Sequence, residues 1–201
     1  MSGSELSVEC ELRNRKNQAA YLLADNRPTK SRRGFLPFRN LQIHLNKLAQ
    51  QVNLKYEEDA LIINFIKTNL DLLRTRPIVL QHGDYHDGNL IVDRNGRLGI
   101  IDYNRIDWGD PWQEFDKLIW TLLYSEIFPK GMIDGYFNFH VPMEFFQALA
   151  LYLCVILISN LVWAVKYNKK DQVSKVMQQK DNMLKWYKGF SNIIPEWYKF
   201  N

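Results

Sequence analysis

Acidic side chains are concentrated in one short part of this chain. Between Gln81 and Asp116 there are eight acidic residues and three arginines, so this stretch carries a formal charge of −5, whereas the 201-residue chain carries +4. Carboxylates at this density suit the binding of hard cations and the handling of protons. We call residues 81–116 the acidic window and expect the chemistry of the protein to lie there.

Two residues of the acidic window are predicted to hold a metal ion together. Two short apolar runs flank Asn95-Gly96, a pair typical of a two-residue type I′ hairpin turn. With that turn, cross-strand partners have numbers that add up to 191, so Asn89 directly faces Asp102. One amide oxygen and one carboxylate suit Mg²⁺, which completes its coordination with water and substrate phosphates. Asp84, five residues before Asn89, can be aimed at the same place.

A transition-metal site is the alternative for the same segment. His82, Asp84 and His86 alternate, and on a strand they would point to one side as metal ligands. Gly83 and Gly88 make an extended strand there doubtful, and no further cluster of His or Cys ligands follows in the sequence. A metallohydrolase is therefore the weaker interpretation.

The elements that would position these residues are mostly helical. Apolar residues at helical spacing predict helices over 41–52 and 57–73, and residues 78–80 are typical of a short buried strand that leads into the window. Asp110 and Pro111 predict a helix start, and that helix is expected to continue to about Ser125. Its inward residues would be Phe115, Leu118, Ile119 and Leu122. Further helices are predicted after Pro142 and over 173–187.

Residues 1–37 differ from the rest, because they carry scattered charge and only one short apolar cluster. We expect a leader of uncertain structure over 1–37 and a folded domain over 38–201. The uncharged stretch 145–165 is long enough to span a bilayer, but its polar residues Gln147, Ser159 and Asn160 favour a buried core helix. The N-terminus has no apolar signal segment, so a cytoplasmic protein is expected, with no membrane and no nucleic-acid partner.

Three motifs occur in a fixed order in and around the window. They are His-Gly-Asp followed by four residues and then Asn (82–89), an apolar hairpin ending in Ile-Ile-Asp (100–102) and Trp-Gly-Asp-Pro-Trp-Gln-Glu-Phe (108–115). Together they resemble the aminoglycoside phosphotransferase and choline kinase-like family over about residues 38–199. The resemblance implies the C-terminal lobe of a protein-kinase-like phosphotransferase, a mainly α fold with a small β-hairpin.

The resemblance also implies a role for each motif residue. Asp84 would be the catalytic aspartate that orients the substrate hydroxyl. Asn89 and Asp102 would bind Mg²⁺ and, through it, ATP as the phosphoryl donor. His82 would buttress the loop. Asp102 is followed by Tyr103 where a kinase has Phe, so no Phe switch is expected.

Four other polar residues of the window are expected to have supporting roles. Asp110 and Glu114 are interpreted as structural, because the Asp-Pro pair is explained by helix capping. His86 and Asp87 are interpreted as solvated loop residues, although a loop so near the transfer site could touch substrate.

The resemblance does not extend to a nucleotide-clamping N-terminal lobe. Residues before Phe38 contain no Gly-rich loop and no strand of the kind that carries the clamping Lys. Two functions therefore stay open. One is a phosphotransferase that moves the ATP γ-phosphoryl group to a hydroxyl of a small cationic substrate, aminoglycoside-like or an amino-alcohol. The other is a non-catalytic remnant or binding module. An N-lobe fragment or a second copy of the chain would be its macromolecular partner.

Overall fold

The structure is a computed structural model that describes residues 57–200, which fall into two compact units. We call residues 57–76 and 143–197 the helical unit, and residues 77–142 and 198–200 the site unit. The acidic window lies entirely within the site unit. The predicted leader, its boundary at residue 37 and the predicted helix over 41–52 lie outside the described residues.

The described residues form short strands and turns between longer helices. In chain order they are α1 (Glu57–Asn69) with a following 3₁₀ turn (Leu70–Leu73), β1 (Val79–Gln81), a 3₁₀ turn (Asp87–Asn89), β2 (Leu90–Val92), β3 (Leu98–Ile100), a 3₁₀ turn (Tyr103–Arg105), β4 (Asp107–Gly109), a 3₁₀ helix (Pro111–Lys117), α2 (Leu118–Thr121), α3 (Ile127–Phe137), α4 (Met143–Lys166) and α5 (Lys170–Trp186). The prediction of a mainly helical fold with a small hairpin is confirmed for this part of the chain. Strand β4, which pairs antiparallel with β1, was not predicted.

The helical unit is built around α4, which packs against α1 and α5. Residues 145–158 of this helix are mostly buried, as the interpretation as a core helix requires. It is also the one helix of residues 57–200 that is long and apolar enough to cross a membrane: its most apolar 18 residues have a mean hydropathy of 2.3, and 61% of them are buried. The Nζ atom of Lys180 on α5 lies 3.3 Å from Asp59 Oδ1 on α1, and both side chains are buried.

The segment after β4 begins where the sequence predicts a helix, but it is wound more tightly than an α-helix. Asp110 Oδ1 accepts a hydrogen bond from the Trp112 backbone N–H at 3.0 Å, as expected of a cap. The first seven residues then form a 3₁₀ helix, and only Leu118–Thr121 is α-helical. The four residues expected to face inward are buried: Phe115, Leu118, Ile119 and Leu122.

The β2–β3 hairpin is present, but the predicted register is wrong by one residue. Leu90 pairs with Ile100 and Val92 with Leu98. Asn89 therefore lies opposite Ile101, whose N–H donates to the Asn89 carbonyl at 3.0 Å, and not opposite Asp102. Because side chains alternate along a strand, a shift of one residue changes which side chains share a face.

The reason for the shift is a loop of three residues, not two. The Gly96 N–H donates to the Asp93 carbonyl at 3.0 Å, and the Asp93 N–H donates to the Arg97 carbonyl at 2.9 Å. The Asp93 carboxylate also accepts from the backbone N–H groups of Asn95 and Arg97, each at 2.8 Å. Gly96 has a φ of 73°, whereas Asn95 does not adopt the positive φ that a type I′ turn requires.

The register can be tested at these two turn positions. We expect Gly96→Ala to destabilise the protein by about 1 kcal/mol, because an alanine there must adopt the left-handed conformation even though no atom blocks its Cβ. Asn95→Ala should change stability little, since Asn95 contributes its backbone N–H to the turn. Urea denaturation of the two variants measures the difference. A loss at Asn95 as large as that at Gly96 would support the two-residue turn instead.

Candidate active site

Asp84 lies in the loop that follows β1, and it is almost fully buried, with 8% of its surface exposed. Its Oδ2 atom is 3.5 Å from the Nε atom of Arg105, whose side chain is 62% exposed. Its Oδ1 atom is buried and has no hydrogen-bond partner among residues 57–200. One oxygen of Asp84 therefore has a cationic neighbour, and the other is an unused acceptor.

His82 connects the loop of Asp84 to the end of the hairpin. Its Nε2 lies 2.9 Å from the carbonyl oxygen of Ile101, and its Nδ1 lies 3.3 Å from the backbone N of Asp84. The tautomer with the proton on Nε2 satisfies both bonds. The expected role of His82 as a buttress is therefore confirmed. Because both ring nitrogens have protein partners, the transition-metal interpretation of this segment is not supported.

Gly83 is required at its position by a close backbone approach. Its φ is 77°, and a Cβ atom there would lie 2.0 Å from the carbonyl oxygen of Arg105. Only glycine accepts both conditions without a shift of the loop. The Gly83 N–H also donates to Glu114 Oε1 at 2.8 Å. The backbone just before Asp84 is thus fixed from two sides.

Asn89 and Asp102, the two residues predicted to bind metal, both lie at the end of the hairpin nearest Asp84. The Nδ2 of Asn89 donates to the Asp84 carbonyl at 2.8 Å, so Oδ1 is the atom of this carboxamide that can act as a ligand. Asp102 is exposed and follows Ile101, the residue opposite Asn89. The two residues are thus brought to one end of the hairpin diagonally and not by the direct opposition that was predicted.

Asp102 has an unusual backbone conformation, with φ 64° and ψ 58°. Left-handed residues other than glycine cost free energy and tend to occur at functional sites, although Asp tolerates this region better than most. The left-handed turn ends the pairing of β3 and begins the 3₁₀ turn Tyr103–Arg105. It therefore sets the direction in which the Asp102 carboxylate leaves the hairpin.

The donor set at this end of the hairpin fits a hard cation that is bound only in part by protein. Within the described part of the chain, no group of three or more His, Cys, Asp and Glu side chains is placed to hold a metal by itself. The Asn89 carboxamide oxygen and the Asp102 carboxylate would supply two oxygen ligands. Mg²⁺ accepts such a partial set, because it keeps several waters and takes other ligands from phosphates.

Glu114 is buried and contacts the loop of Asp84, which was not predicted from the sequence. Its Oε1 accepts from the Gly83 N–H, and its Oε2 has no hydrogen-bond partner within residues 57–200. A cavity of about 30 Å³, large enough for one or two water molecules, lies beside it. The cavity is lined by Gln81, Gly83, Tyr85, Gln113, Glu114, Asp116 and Lys117.

Burial raises the pKa of Glu114 to about 7, and the nearby negative charges of Asp116 and Asp84 act in the same direction. Burial also raises the pKa of Asp116, whose carboxylate lies 2.6 Å from the Lys117 ammonium. A signal for Glu114 was present in the sequence, because it precedes the inward residue Leu118 by four positions and so shares its helix face.

The fold and the sequence both match known phosphotransferases. A sequence model of the phosphotransferase enzyme family matches residues 18–145, which is more than half of the chain. The chain therefore belongs to that family, as the motifs indicated. The match begins inside the predicted leader, whose boundary stays a prediction. No curated protein matches the sequence.

Several solved structures have a similar fold. A choline/ethanolamine kinase family protein from Mesorhizobium loti has a TM-score of 0.64 at 13% identity, and the match covers 96% of this chain and 68% of that one. The GDP complex of aminoglycoside 2'-phosphotransferase-IIIa has a TM-score of 0.63 at 15% identity, and the match covers 89% of this chain and 64% of that one.

A mutant aminoglycoside phosphotransferase in a ternary complex with AMP-PNP and hygromycin B has a TM-score of 0.57 at 15% identity. The match covers 77% of this chain and 51% of that one. The chain thus spans from half to two thirds of the length of these structures. At such identities the similarity is one of fold.

The raised pKa of Glu114 predicts how stability depends on pH. In the folded protein this group keeps its proton up to about pH 7, whereas in the unfolded chain it loses the proton near pH 4.5. The folded state therefore binds more protons between these values, and stability falls as pH rises through this range, by about 3 kcal/mol at most. Glu114→Gln cannot ionise and should lack this part of the decrease.

Urea denaturation between pH 5 and 8 measures the effect. Because the charge of Asp116 acts on Glu114, the difference between the two proteins reports the titration of Glu114 together with its coupling to Asp116. Identical pH dependence in the parent and in Glu114→Gln would contradict the assigned titration.

Proposed function

We propose that the site unit carries the catalytic base and the metal ligands of a phosphotransferase that moves the ATP γ-phosphoryl group to a hydroxyl of a small cationic substrate. The observation that carries this proposal is the state of Asp84. Its buried Oδ1 has no hydrogen-bond partner among the described residues, at a site where the backbone is fixed by Gly83 and by His82. An acceptor kept free in this way suits a hydroxyl group that must be oriented for attack.

Asp84 acts on the acceptor hydroxyl. The Arg105 guanidinium lies beside Oδ2, with 3.5 Å between Nε and Oδ2, and Oδ1 accepts the hydrogen bond from the substrate hydroxyl. This hydrogen bond directs a lone pair of the hydroxyl oxygen toward the phosphorus, and the Asp84 carboxylate can accept the hydroxyl proton. Most of the rate enhancement in phosphoryl transfer comes from such positioning and from charge stabilisation.

Asn89 and Asp102 would hold Mg²⁺. When bound, this ion would neutralise charge on the phosphate oxygens. The chain's own contribution is to keep the two ligands near Asp84, and the bond from Asn89 Nδ2 to the Asp84 carbonyl does this directly. The loss of that bond would separate the ligand from the base.

The substrate class is supported by charge and by the relatives. The acidic window has a net charge of −5, which attracts cations to the site. Related folds have been solved with AMP-PNP and hygromycin B, and with GDP, and another belongs to a choline/ethanolamine kinase family protein. We therefore propose a nucleoside triphosphate donor, ATP, and an amine-bearing alcohol as the acceptor.

Catalysis by the 201 residues alone should be weak. The sequence before Phe38 has no segment like the Gly-rich loop or the clamping Lys strand of kinases. Losing one set of phosphate donors commonly costs on the order of 10²-fold to 10³-fold in rate. We expect trace turnover of Mg²⁺-ATP with amino-alcohol or aminoglycoside acceptors, and a higher rate on co-expression with the N-lobe of a complete relative.

Asp84→Ala should abolish this turnover, whereas Asp107→Asn, at an exposed acid of the same window, should retain it. A coupled ADP-release assay measures both. Full turnover by the chain alone would show that another segment supplies the clamp. No turnover in any combination would favour the non-catalytic remnant.

Metal binding should survive even where catalysis does not, because both ligands come from one hairpin. The loss of even an outer partner of a metal ligand typically costs 10-fold to 100-fold in affinity, so Asp102→Ala should weaken Mn²⁺ binding by about tenfold or more. Asp84→Ala should leave it nearly unchanged. Mn²⁺ titration followed by electron paramagnetic resonance measures both, and an equal loss in the two variants would contradict the assigned roles.

A further inference from the structure

Asp87, interpreted from the sequence as a solvated loop residue, is bound to a helix instead. The hydroxyl of Thr121 donates to Asp87 Oδ1 at 2.5 Å, and the hydroxyl of Tyr124 donates to Asp87 Oδ2. Thr121 is the buried last residue of α2, and Tyr124 follows three residues later. Both oxygens of one carboxylate are therefore occupied by donors that lie more than thirty residues further along the chain.

The neighbouring His86 is attached to the same helix. Its ring packs edge-on against Trp120 of α2 with 5.2 Å between ring centroids. Its Nδ1 accepts from the Gly88 N–H at 3.1 Å, so the ring also shapes the turn that follows. Two consecutive loop residues thus dock on the C-terminal end of α2.

Asp87 is close in sequence to both Asn89, the proposed metal ligand, and Asp84, the proposed base. The backbone N–H of Asn89 donates to the His86 carbonyl at 3.0 Å, and its Nδ2 donates to the Asp84 carbonyl at 2.8 Å. A displacement of Asp87 would therefore move Asn89 first and Asp84 second. His82 fixes the beginning of the same loop, and nothing else in residues 84–89 reaches α2 through a side-chain hydrogen bond in the described structure.

We propose that Asp87 is a positioning residue, which docks the 84–89 loop on α2 through Thr121 and Tyr124 and so sets the distance between the metal ligand Asn89 and the base Asp84. The kinetic consequence rests on the proposed phosphotransferase function. The docking itself does not.

The charge on Asp87 supports this role. Partial burial alone would raise the pKa of this carboxyl, but the hydrogen bonds from Thr121 and Tyr124 more than offset it and lower the pKa below its usual value. The group is therefore a carboxylate near neutral pH. Hydroxyl donors bind a carboxylate more strongly than a neutral acceptor, so the docking is a charge-assisted contact.

Removal of the docking from either side should have the same effect. Asp87→Asn removes the charge and one of the two acceptor oxygens, and so weakens the docking, whereas Thr121→Val with Tyr124→Phe removes both donors while the carboxylate remains. A misplacement of about 1 Å in a catalytic group can cost on the order of 10²-fold in rate. We therefore expect kcat to fall by about tenfold to 100-fold in both proteins, with a much smaller change in the KM for ATP. The variant with all three substitutions should lose no more activity than Thr121→Val with Tyr124→Phe, because all three act on the same docking of Asp87.

Two measurements decide the proposal without catalysis. Hydrogen–deuterium exchange of peptides covering 84–89 should become about tenfold faster in Asp87→Asn and in the double variant. Mn²⁺ affinity should fall in both, since Asn89 is less well held, while the melting temperature changes little. Tyr124→Phe alone, at an exposed side chain that should not threaten folding, should give part of each effect. Tyr167→Phe, an exposed tyrosine of the helical unit, is the matched control and should give none.

Unchanged exchange of 84–89 in Asp87→Asn would overturn the proposal. So would a loss of Mn²⁺ affinity in Asp87→Asn that neither Tyr124→Phe nor the double variant reproduces, since the carboxylate would then act on the metal and not through α2. If the parent protein has no turnover, either alone or with the N-lobe of a complete relative, the proposed function fails, and exchange and Mn²⁺ affinity still decide the role of Asp87.

Discussion

The contact between the backbones of Gly83 and Arg105 is the constraint on which the rest of the site depends. The two backbone segments approach so closely that a Cβ atom on Gly83 would lie 2.0 Å from the Arg105 carbonyl oxygen. This approach brings the segment after β3 against the segment after β1. The guanidinium of Arg105 can then reach Asp84, and the Ile101 carbonyl can then reach His82. A side chain at position 83 would force one of these two segments to shift.

The site also concentrates negative charge in a place with little water. Asp84, Glu114 and Asp116 are all buried, and the charge of Asp84 raises the pKa of the other two. Their cationic neighbours are Lys117 and the mostly exposed Arg105. Burial of three carboxylates is unfavourable unless some hold protons or find partners. Asp116 has Lys117, Asp84 has Arg105, and Glu114 has a backbone N–H and a raised pKa. The arrangement leaves Asp84 as the carboxylate with a charged partner and an unused oxygen.

The sequence was sufficient for the motifs and for most of the described elements, because these depend on local patterns. It was not sufficient for β4, which pairs with a strand about thirty residues away. The helix start at Asp110, its inward residues and the burial of α4 follow from spacing and residue type, and the buttress role of His82 follows from the family resemblance. The register of the hairpin did not follow, because the turn type depends on whether the Asp93 carboxylate binds the turn N–H groups. The contacts of Glu114 with Gly83, and of Asp87 with Tyr124, join residues about thirty or more positions apart, and no local pattern encodes them.

The error in register changes how Asn89 and Asp102, the two residues proposed to bind Mg²⁺, come to lie at one end of the hairpin. Direct opposition would make the distance between Asn89 and Asp102 a property of the β-ladder alone. In the structure the ladder ends with Asn89 and Ile101, and the chain then adopts the left-handed conformation at Asp102. The ligand distance therefore depends on one dihedral pair at Asp102 and on the loop that holds Asn89. A site of this kind can be adjusted without altering the hairpin, because the groups that position each ligand lie outside the sheet.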